Sequence, residues 1–341
     1  MFDKLLRVPR ILLRKIIRRA LLVSRIETWF GIVGQFYERI QFERERDISN
    51  SERGIRSLDF THYLPYTEER IEKLRQVING RPVAILLQGP SIIQLEERIS
   101  ELRDCDICYA GLNDFGVIEE RILEKINRHL SLFMCSSLID LRRQIENRNL
   151  FDYLERQEEN LLVSEKESFL IQQLWQPFDL DEFVTKYDRR LLFFVSTFTF
   201  MKIQEGLFLP VPSIRYPLHF PKQGSFSILL SLALIGGASM IAVFGGDGGI
   251  IKKGEKYFGG YGKGKQEYGM DQGSSTDINV FTGTNIFNAT MPVMLEKLRE
   301  IYDIPPVDIV NCSVQSHYTS LRKLSYDKTI ALLKSFKKNA G

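Results

Sequence analysis

The chain has 341 residues, of which 44% are hydrophobic and 26% are charged, and its net charge is +3. These values are ordinary for a folded soluble protein with one large α/β domain or two smaller domains. Eight basic residues and one acidic residue lie within residues 1–25, so the rest of the chain is net acidic, and we expect no nucleic-acid partner.

Residues 1–30 predict a basic amphipathic helix, because at 100° per residue the leucines and isoleucines fall on one arc and the arginines and lysines on the other. Charges interrupt each apolar stretch, so we expect neither a signal peptide nor a membrane span. Such a helix suits an anionic membrane surface, which predicts a cytoplasmic protein that is peripheral on the inner face of the cytoplasmic membrane. The alternative is a helix that packs its apolar face on the rest of the protein.

The following residues predict a helical linker region at 31–80, an α/β domain at 81–330 with a helical insert at 138–190, and a C-terminal tail at 331–341. Short apolar runs predict strands at 83–87, 105–110, 130–135, 160–164, 191–196, 239–244 and 307–311. Helical spacing predicts helices at 68–79, 92–102, 115–128, 138–157, 225–235, 291–302 and from 329 onward. This alternation is typical of a doubly wound, mostly parallel, Rossmann-like sheet, which places the chain in the α/β class.

Two stretches invite a different interpretation. Cys105 and Cys108 form a Cys-x-x-Cys pair, but they lie in a strand-like run with no second pair at zinc spacing, so we interpret them as core thiols. Residues 226–244 are the most hydrophobic stretch, but a glycine pair divides them, so we expect a buried helix, turn and strand rather than a span. The glycine-rich residues 245–285 form a long connection of the kind that is usually an active-site lid or disordered.

Three short motifs combine glycine with hydroxyl or acidic side chains where a strand ends or a helix begins. The first is Gln88-Gly89-Pro90-Ser91, whose amide hydrogens and helix dipole favour a phosphate. It is neither a P-loop with its lysine nor a dinucleotide fingerprint.

The second motif is Asn113-Asp114, which follows the second strand and is suited to a nucleotide ribose or base; a plain turn is the alternative. The third begins a helix at Gly224-Ser225 and ends the next strand at Gly246-Asp247. Together the three motifs predict a nucleotide cleft in which alanine at Ser91 or Asp247 abolishes binding and leaves the fold intact.

This ordered set of motifs resembles one superfamily over roughly residues 68–330. Its members include metal-independent bacterial sialyltransferases, motility-accessory-factor flagellin glycosyltransferases and an archaeal 6-hydroxymethylpterin diphosphokinase. In the sialyltransferase branch the Gly-Pro-Ser loop and the asparagine bind a CMP-sugar. The resemblance therefore implies donor-binding roles for Gly89, Pro90, Ser91, Asn113 and Ser225.

The resemblance also implies catalytic residues beyond the last motif. Tyr257 is the nearest match to a tyrosine that steadies the leaving phosphate, and Ser136 stands where the family has an asparagine. The family's general-base histidine would fall near Gln272, which leaves Asp271 or Asp277 as the candidate base.

The resemblance implies an inverting glycosyltransferase that needs no metal or other cofactor. Its donor would be a nucleotide-sugar, with a CMP-linked nonulosonate favoured, and its acceptor a cell-envelope glycan, a lipid-linked glycan or a protein. One alternative is pyrophosphate transfer from ATP to a pterin alcohol, which needs Mg²⁺ on carboxylates such as Asp114 and Asp247. Another alternative is a non-catalytic relative.

Overall fold

The structure is a computed structural model. It describes residues 67–113, 116–135, 138–146, 149–156, 160–165, 179–197, 200–202, 208–210, 219–221, 225–248, 284, 287–288, 290–300 and 302–336. The predictions for residues 1–30, most of the 31–80 region and most of the 245–285 connection lie outside these ranges.

A nine-stranded parallel sheet forms the centre of the molecule, in the order β11-β10-β9-β1-β2-β3-β4-β5-β8. Its strands are β1 Val83–Leu86, β2 Cys108–Leu112, β3 Leu132–Met134, β4 Leu161–Glu165, β5 Leu191–Thr197, β8 His219–Pro221, β9 Met240–Phe244, β10 Asp308–Asn311 and β11 Arg322–Lys323. A separate antiparallel pair consists of β6 Phe200–Lys202 and β7 Phe208–Pro210.

Helices connect the strands. They are α1 Thr67–Ile78, α2 Ile93–Arg98, α3 Gly116–Ile118, α4 Leu138–Glu146, α5 Asn149–Arg156, α6 Leu180–Tyr187, α7 Ser225–Ile235, α8 at 290–300 and α9 Tyr326–Leu333. Short 3-10 turns at Pro90–Ile92 and Ile99–Leu102 extend α2, while a π-helical turn at Glu119–Leu123 and a 3-10 turn at Glu124–Ile126 extend α3. A further 3-10 turn, Asp188–Arg190, leads from α6 into β5.

Helices cover both faces of the sheet, because successive strand residues point to opposite sides. On one face, Ala84 and Leu86 of β1 pack with buried residues of α2, α4, α5, α6 and α9. On the other face, Val83 and Ile85 pack with α1, α7 and α8. Ten of the eleven residues of α7 are buried, and the hydroxyl of Ser231 donates to the Ser227 carbonyl, so this polar group is satisfied inside the apolar layer.

The chain reverses its direction across the sheet between β1 and β9. From β1 it proceeds outward through β2, β3, β4 and β5, and after β9 it proceeds the opposite way through β10 and β11. Ligands of open α/β sheets bind outside the carboxyl ends of the strands at such a switch point. A functional site is therefore expected at the carboxyl ends of β1 and β9.

The predicted fold class is confirmed, and each predicted strand is present within a few residues of its predicted position. The stretch 226–244 is the buried helix, turn and strand that the sequence predicted, and none of the helices in the described ranges has the length and apolar character to cross a membrane. All four cysteines are buried free thiols.

Three of the predicted segments outside the central part of the α/β domain contain elements that pack into the core or pair with the sheet. Helix α1, assigned to the linker, packs its apolar residues into the same core as the sheet. Within the predicted insert at 138–190, the strand predicted at 160–164 is present as β4, which pairs with β3 and β5. The last helix begins at Tyr326, three residues before the predicted start, and fully buried Leu333 lies in the predicted tail. In each case, burial of an apolar face ties the segment to the sheet.

Candidate functional site

The loop after β1 lies directly against the end of β9. The amide of Leu87 donates to the Phe244 carbonyl at 2.9 Å, and the amide of Gly89 donates to the Gly245 carbonyl at 3.1 Å. A Cβ on Gly89 would lie 2.9 Å from Cγ of Asp247, so only glycine permits this close approach. Gly245 has a φ of +68°, which turns the chain away from the strand.

The carboxylate of Asp247 connects three loops of the site. It is 1% exposed, and its Oδ2 accepts a hydrogen bond from the Ser91 amide at 2.9 Å. Its Oδ1 accepts one from the hydroxyl of Ser313, which follows β10, and its backbone carbonyl accepts one from the His317 amide at 2.9 Å. Asp247 therefore holds the ends of β1, β9 and β10 together.

A polar network after β10 supports the loop that carries Asp247. The side-chain nitrogen of Asn311 donates to the Gly246 carbonyl at 2.8 Å and to Oγ of Ser316 at 2.9 Å. Its side-chain oxygen accepts from the Ser313 amide at 3.1 Å, and the Ser316 hydroxyl also donates to Gly246. Asn311, Ser313 and Ser316 are buried, so these bonds satisfy groups that would otherwise be costly to enclose.

Tyr326, at the start of α9, joins the site from the last helix of the chain. The side chain of Ser325 caps this helix by accepting from the Lys328 amide, which fixes where Tyr326 lies. The Tyr326 hydroxyl lies 3.1 Å from the Gly245 nitrogen and 3.2 Å from Oγ of Ser91. Burial raises the pKa of Tyr326 well above its ordinary value, so the phenol stays protonated.

Asn113 lies at the end of β2, next to the loop after β1. Its φ is +52°, a left-handed conformation that asparagine tolerates better than most residues. Its backbone is fixed on both sides, since its amide donates to Met134 at 2.8 Å and its carbonyl accepts from Gln144 at 3.2 Å. Its side-chain oxygen is buried and has no hydrogen-bond partner among the residues described here.

The N-terminus of α7, where Ser225 lies, is close to the Asp247 loop but on the other face of the sheet. Phe226 stacks on Phe287, with ring centroids 5.0 Å apart, and packs 5.1 Å from Tyr318. The Tyr318 amide donates to the Ser316 hydroxyl, which in turn donates to the Gly246 carbonyl. Burial raises the pKa of Tyr318 to about 12, and the nearby charge of Asp247 acts in the same direction.

Most of the predicted site residues that are described lie at one edge of the sheet. Gln88, Gly89, Pro90, Ser91, Asn113, Gly246 and Asp247 follow the carboxyl ends of β1, β2 and β9. Ser225 begins α7 on the other face of the sheet, and its neighbour Phe226 reaches the Asp247 loop through Tyr318. The remaining predicted residues, Asp114, Ser136, Gly224, Tyr257, Asp271 and Asp277, lie outside the described ranges. Their roles stay predictions.

The structure contradicts one part of the predicted phosphate site. The Ser91 amide was expected to face a phosphate, but it donates to the buried Asp247 carboxylate instead. Both oxygens of Asp247 are engaged in hydrogen bonds, so this residue organises the loops. Within the described ranges, no group of three or more His, Cys, Asp or Glu residues is placed to hold a metal ion.

Sequence reasoning missed Tyr326 and the network after β10. The polar residues Asn311, Ser313 and Ser316 follow a predicted strand at its carboxyl end, and the rule for open α/β sheets was a signal that pointed to them. Tyr326 had no such signal, because it is 235 residues away from Ser91 along the chain.

Comparison with known proteins assigns no family to this chain. No protein-family model matches the sequence, and no curated protein matches it. The resemblance to the sialyltransferase superfamily therefore rests on the sequence motifs.

Proposed function

We propose that the chain binds a nucleotide-sugar at the switch point and transfers its sugar to a cell-envelope glycan, a lipid-linked glycan or a protein. The favoured donor is a sialic-acid-like nonulosonate linked to CMP. One observation carries the proposal: two predicted donor-binding loops, Gln88–Ser91 and Gly246–Asp247, meet at the ends of adjacent strands where the sheet reverses. Open α/β sheets bind nucleotides at this position.

The nucleoside end of the ligand is assigned to Asn113. Its side-chain oxygen is a buried acceptor without a donor among the described residues, and such a group is unfavourable unless a ligand or water supplies one. A ribose hydroxyl or the amino group of cytosine is a donor of the required kind. Because β2 is the neighbour of β1, a nucleoside at Asn113 lies beside a phosphate at Ser91.

The phosphate end is assigned to the Ser91 hydroxyl and to the N-terminus of α7. Ser91 is partly exposed, and its hydroxyl lies in the loop that follows β1 at the switch point. Helix α7 has eleven residues, and the positive end of its dipole lies at Ser225, which favours a negatively charged group.

In the proposed reaction, a carboxylate, Asp271 or Asp277, takes the proton of an acceptor hydroxyl. The acceptor oxygen then forms a bond to the anomeric carbon of the sugar. The bond between that carbon and the phosphate oxygen breaks, and CMP leaves with the electron pair and with its charge steadied by Tyr257. Attack opposite the leaving group inverts the anomeric centre.

The contacts of Asp247 favour this reaction over pyrophosphate transfer from ATP. The alternative needs carboxylates such as Asp114 and Asp247 to converge on a Mg²⁺ ion. In the structure, Asp247 is 1% exposed, and its two oxygens accept hydrogen bonds from Ser91 and Ser313.

A thermal-shift screen tests the proposed donor. CMP without metal should raise the melting temperature, whereas UDP, GDP and ATP with or without Mg²⁺ should raise it less, because bound ligand stabilises the folded state by mass action. Stabilisation by ATP only with Mg²⁺ would support the diphosphokinase alternative. No response to any nucleotide would support a non-catalytic relative.

A pair of variants tests the role of Asn113. Asn113→Ala should weaken CMP binding, because it removes the unpaired acceptor. Asn127→Ala is the matched control, since Asn127 has nearly the same left-handed φ of +54° and lies at the opposite edge of the sheet. Both variants place alanine at a left-handed φ and so carry the same backbone cost. Equal CMP affinities in the two variants would therefore contradict the assignment of the nucleoside to Asn113.

We also propose that the basic N-terminal helix attaches the enzyme to an anionic membrane surface, which would bring it to an envelope acceptor. Full-length protein should float with vesicles that contain anionic lipid, and a variant that begins at Ser51 should not. Equal flotation of the two proteins would contradict membrane attachment by this segment.

A further inference from the structure

The hydroxyl of Tyr326 lies between two groups of the candidate site. Its oxygen is 3.1 Å from the Gly245 nitrogen and 3.2 Å from the Ser91 Oγ. Tyr326 is 3% exposed, and its ring packs on Phe244 with the centroids 5.5 Å apart. The position of the hydroxyl is therefore fixed by the core.

The chemistry of these groups sets the direction of the hydrogen bonds. A backbone N–H only donates, so the Tyr326 oxygen accepts from Gly245. Burial raises the pKa of Tyr326, so the phenol keeps a hydrogen that itself needs an acceptor. In the described part of the chain, the other group within hydrogen-bond distance of this hydroxyl is the Ser91 Oγ, 3.2 Å away, and this pair allows either oxygen to donate; with the Tyr326 oxygen already accepting from Gly245, we assign the donor role to Tyr326.

The same reasoning extends to Ser91. An oxygen that accepts from Tyr326 directs its own hydrogen elsewhere, and the described residues show no second hydrogen bond at this hydroxyl. Ser91 is half-buried, whereas Tyr326 is enclosed. The Ser91 hydrogen is thus left for a ligand.

We infer that Gly245, Tyr326 and Ser91 form a directed hydrogen-bond relay that makes the Ser91 hydroxyl a donor to the phosphate of the nucleotide. This inference rests on the proposed function and adds a positioning residue, Tyr326, that acts through Ser91. A hydroxyl that already accepts a hydrogen bond is a better donor, and a phosphate oxygen is the stronger of the acceptors that a nucleotide offers. The Ser91 hydroxyl thus takes the role predicted for the Ser91 amide, because that amide already donates to Asp247.

Binding titrations with CMP, cytidine and inorganic pyrophosphate test the relay. Ser91→Ala should weaken CMP and pyrophosphate binding about tenfold, and Tyr326→Phe should weaken both by about threefold to tenfold. Both variants should bind cytidine as the wild type does, because cytidine has no phosphate. The double variant should bind CMP no more weakly than Ser91→Ala, because Tyr326 acts only through Ser91.

Tyr153→Phe is the matched control. Tyr153 is fully buried, and its hydroxyl donates to the Leu161 carbonyl at the amino end of β4, away from the site. This variant loses a buried tyrosine hydroxyl of the same kind, and it should bind all three ligands as the wild type does. If Tyr326→Phe does not fold, Ser91→Ala tests the last step of the relay: a loss for CMP and not for cytidine supports it, and equal losses for the two ligands would overturn it.

The outcomes separate the relay from the proposed function. Wild-type CMP affinity in Tyr326→Phe, additive losses in the double variant, or an equal loss for cytidine would each overturn the relay. Pyrophosphate binding without CMP binding would overturn the proposed donor, and the variants would still test the relay through pyrophosphate. A wild-type protein that binds neither ligand would overturn both.

Discussion

Replacing Asp247 tests whether this residue organises the site by holding its loops together. Asp247→Ala leaves the Ser91 amide and the Ser313 hydroxyl without their acceptors. A buried donor left unpaired costs about 1–3 kcal/mol, so losing both acceptors should lower the free energy of unfolding by about 2–6 kcal/mol. Asp247→Asn keeps one oxygen for the Ser91 amide, and the Ser313 hydroxyl can turn to accept, so its cost should be ~1 kcal/mol.

Urea denaturation followed by circular dichroism measures these losses, because unfolding free energy falls linearly with urea. Asp308→Ala is the control: it removes a carboxylate from β10 that is about half exposed and pairs with Arg322. Its unfolding free energy should stay within about 0.5 kcal/mol of wild type. If Asp247→Ala is as stable as Asp308→Ala, Asp247 does not hold the loops together, and the earlier expectation that alanine there leaves the fold intact would stand.

Two further predictions follow from the same region. Gly89→Ala should lower the unfolding free energy by about 1–3 kcal/mol, because the added Cβ would overlap the Asp247 carboxylate. Gly116→Ala is the control and should not lower it, because a Cβ on Gly116 would have no atom within 4 Å. Equal urea midpoints for the two variants would contradict this prediction. Stability should also fall as the pH rises from about 10 to 12, because burial raises the pKa of Tyr318 to about 12 while the unfolded chain loses this proton near pH 10. In Tyr318→Phe, stability should fall less steeply over this pH range. An unchanged slope of stability against pH would contradict the role of the raised Tyr318 pKa in this loss.

The sequence predicted the fold because the signals for it are local. The apolar run at 83–87 and the helical spacing at 68–79 are properties of contiguous residues, and their alternation along the chain implies a parallel sheet. The helix Ser225–Ile235 was predicted at its observed bounds, since Ser225 opens it and a glycine pair follows it. The edge of the sheet that carries the site followed from the same alternation, because the carboxyl ends of parallel strands share one edge.

The tertiary structure decided how the residues at that edge are used. The sequence predicted that Ser91 and Asp247 lie close together, and they are in contact, but it assigned the Ser91 amide to a phosphate, whereas in the fold that amide donates to Asp247. It gave no sign of Tyr326, whose hydroxyl reaches Ser91 and Gly245 from the last helix. Hydrogen bonds between strand ends depend on strand order and on close approach over separations of 156 and 235 residues, which no local pattern encodes.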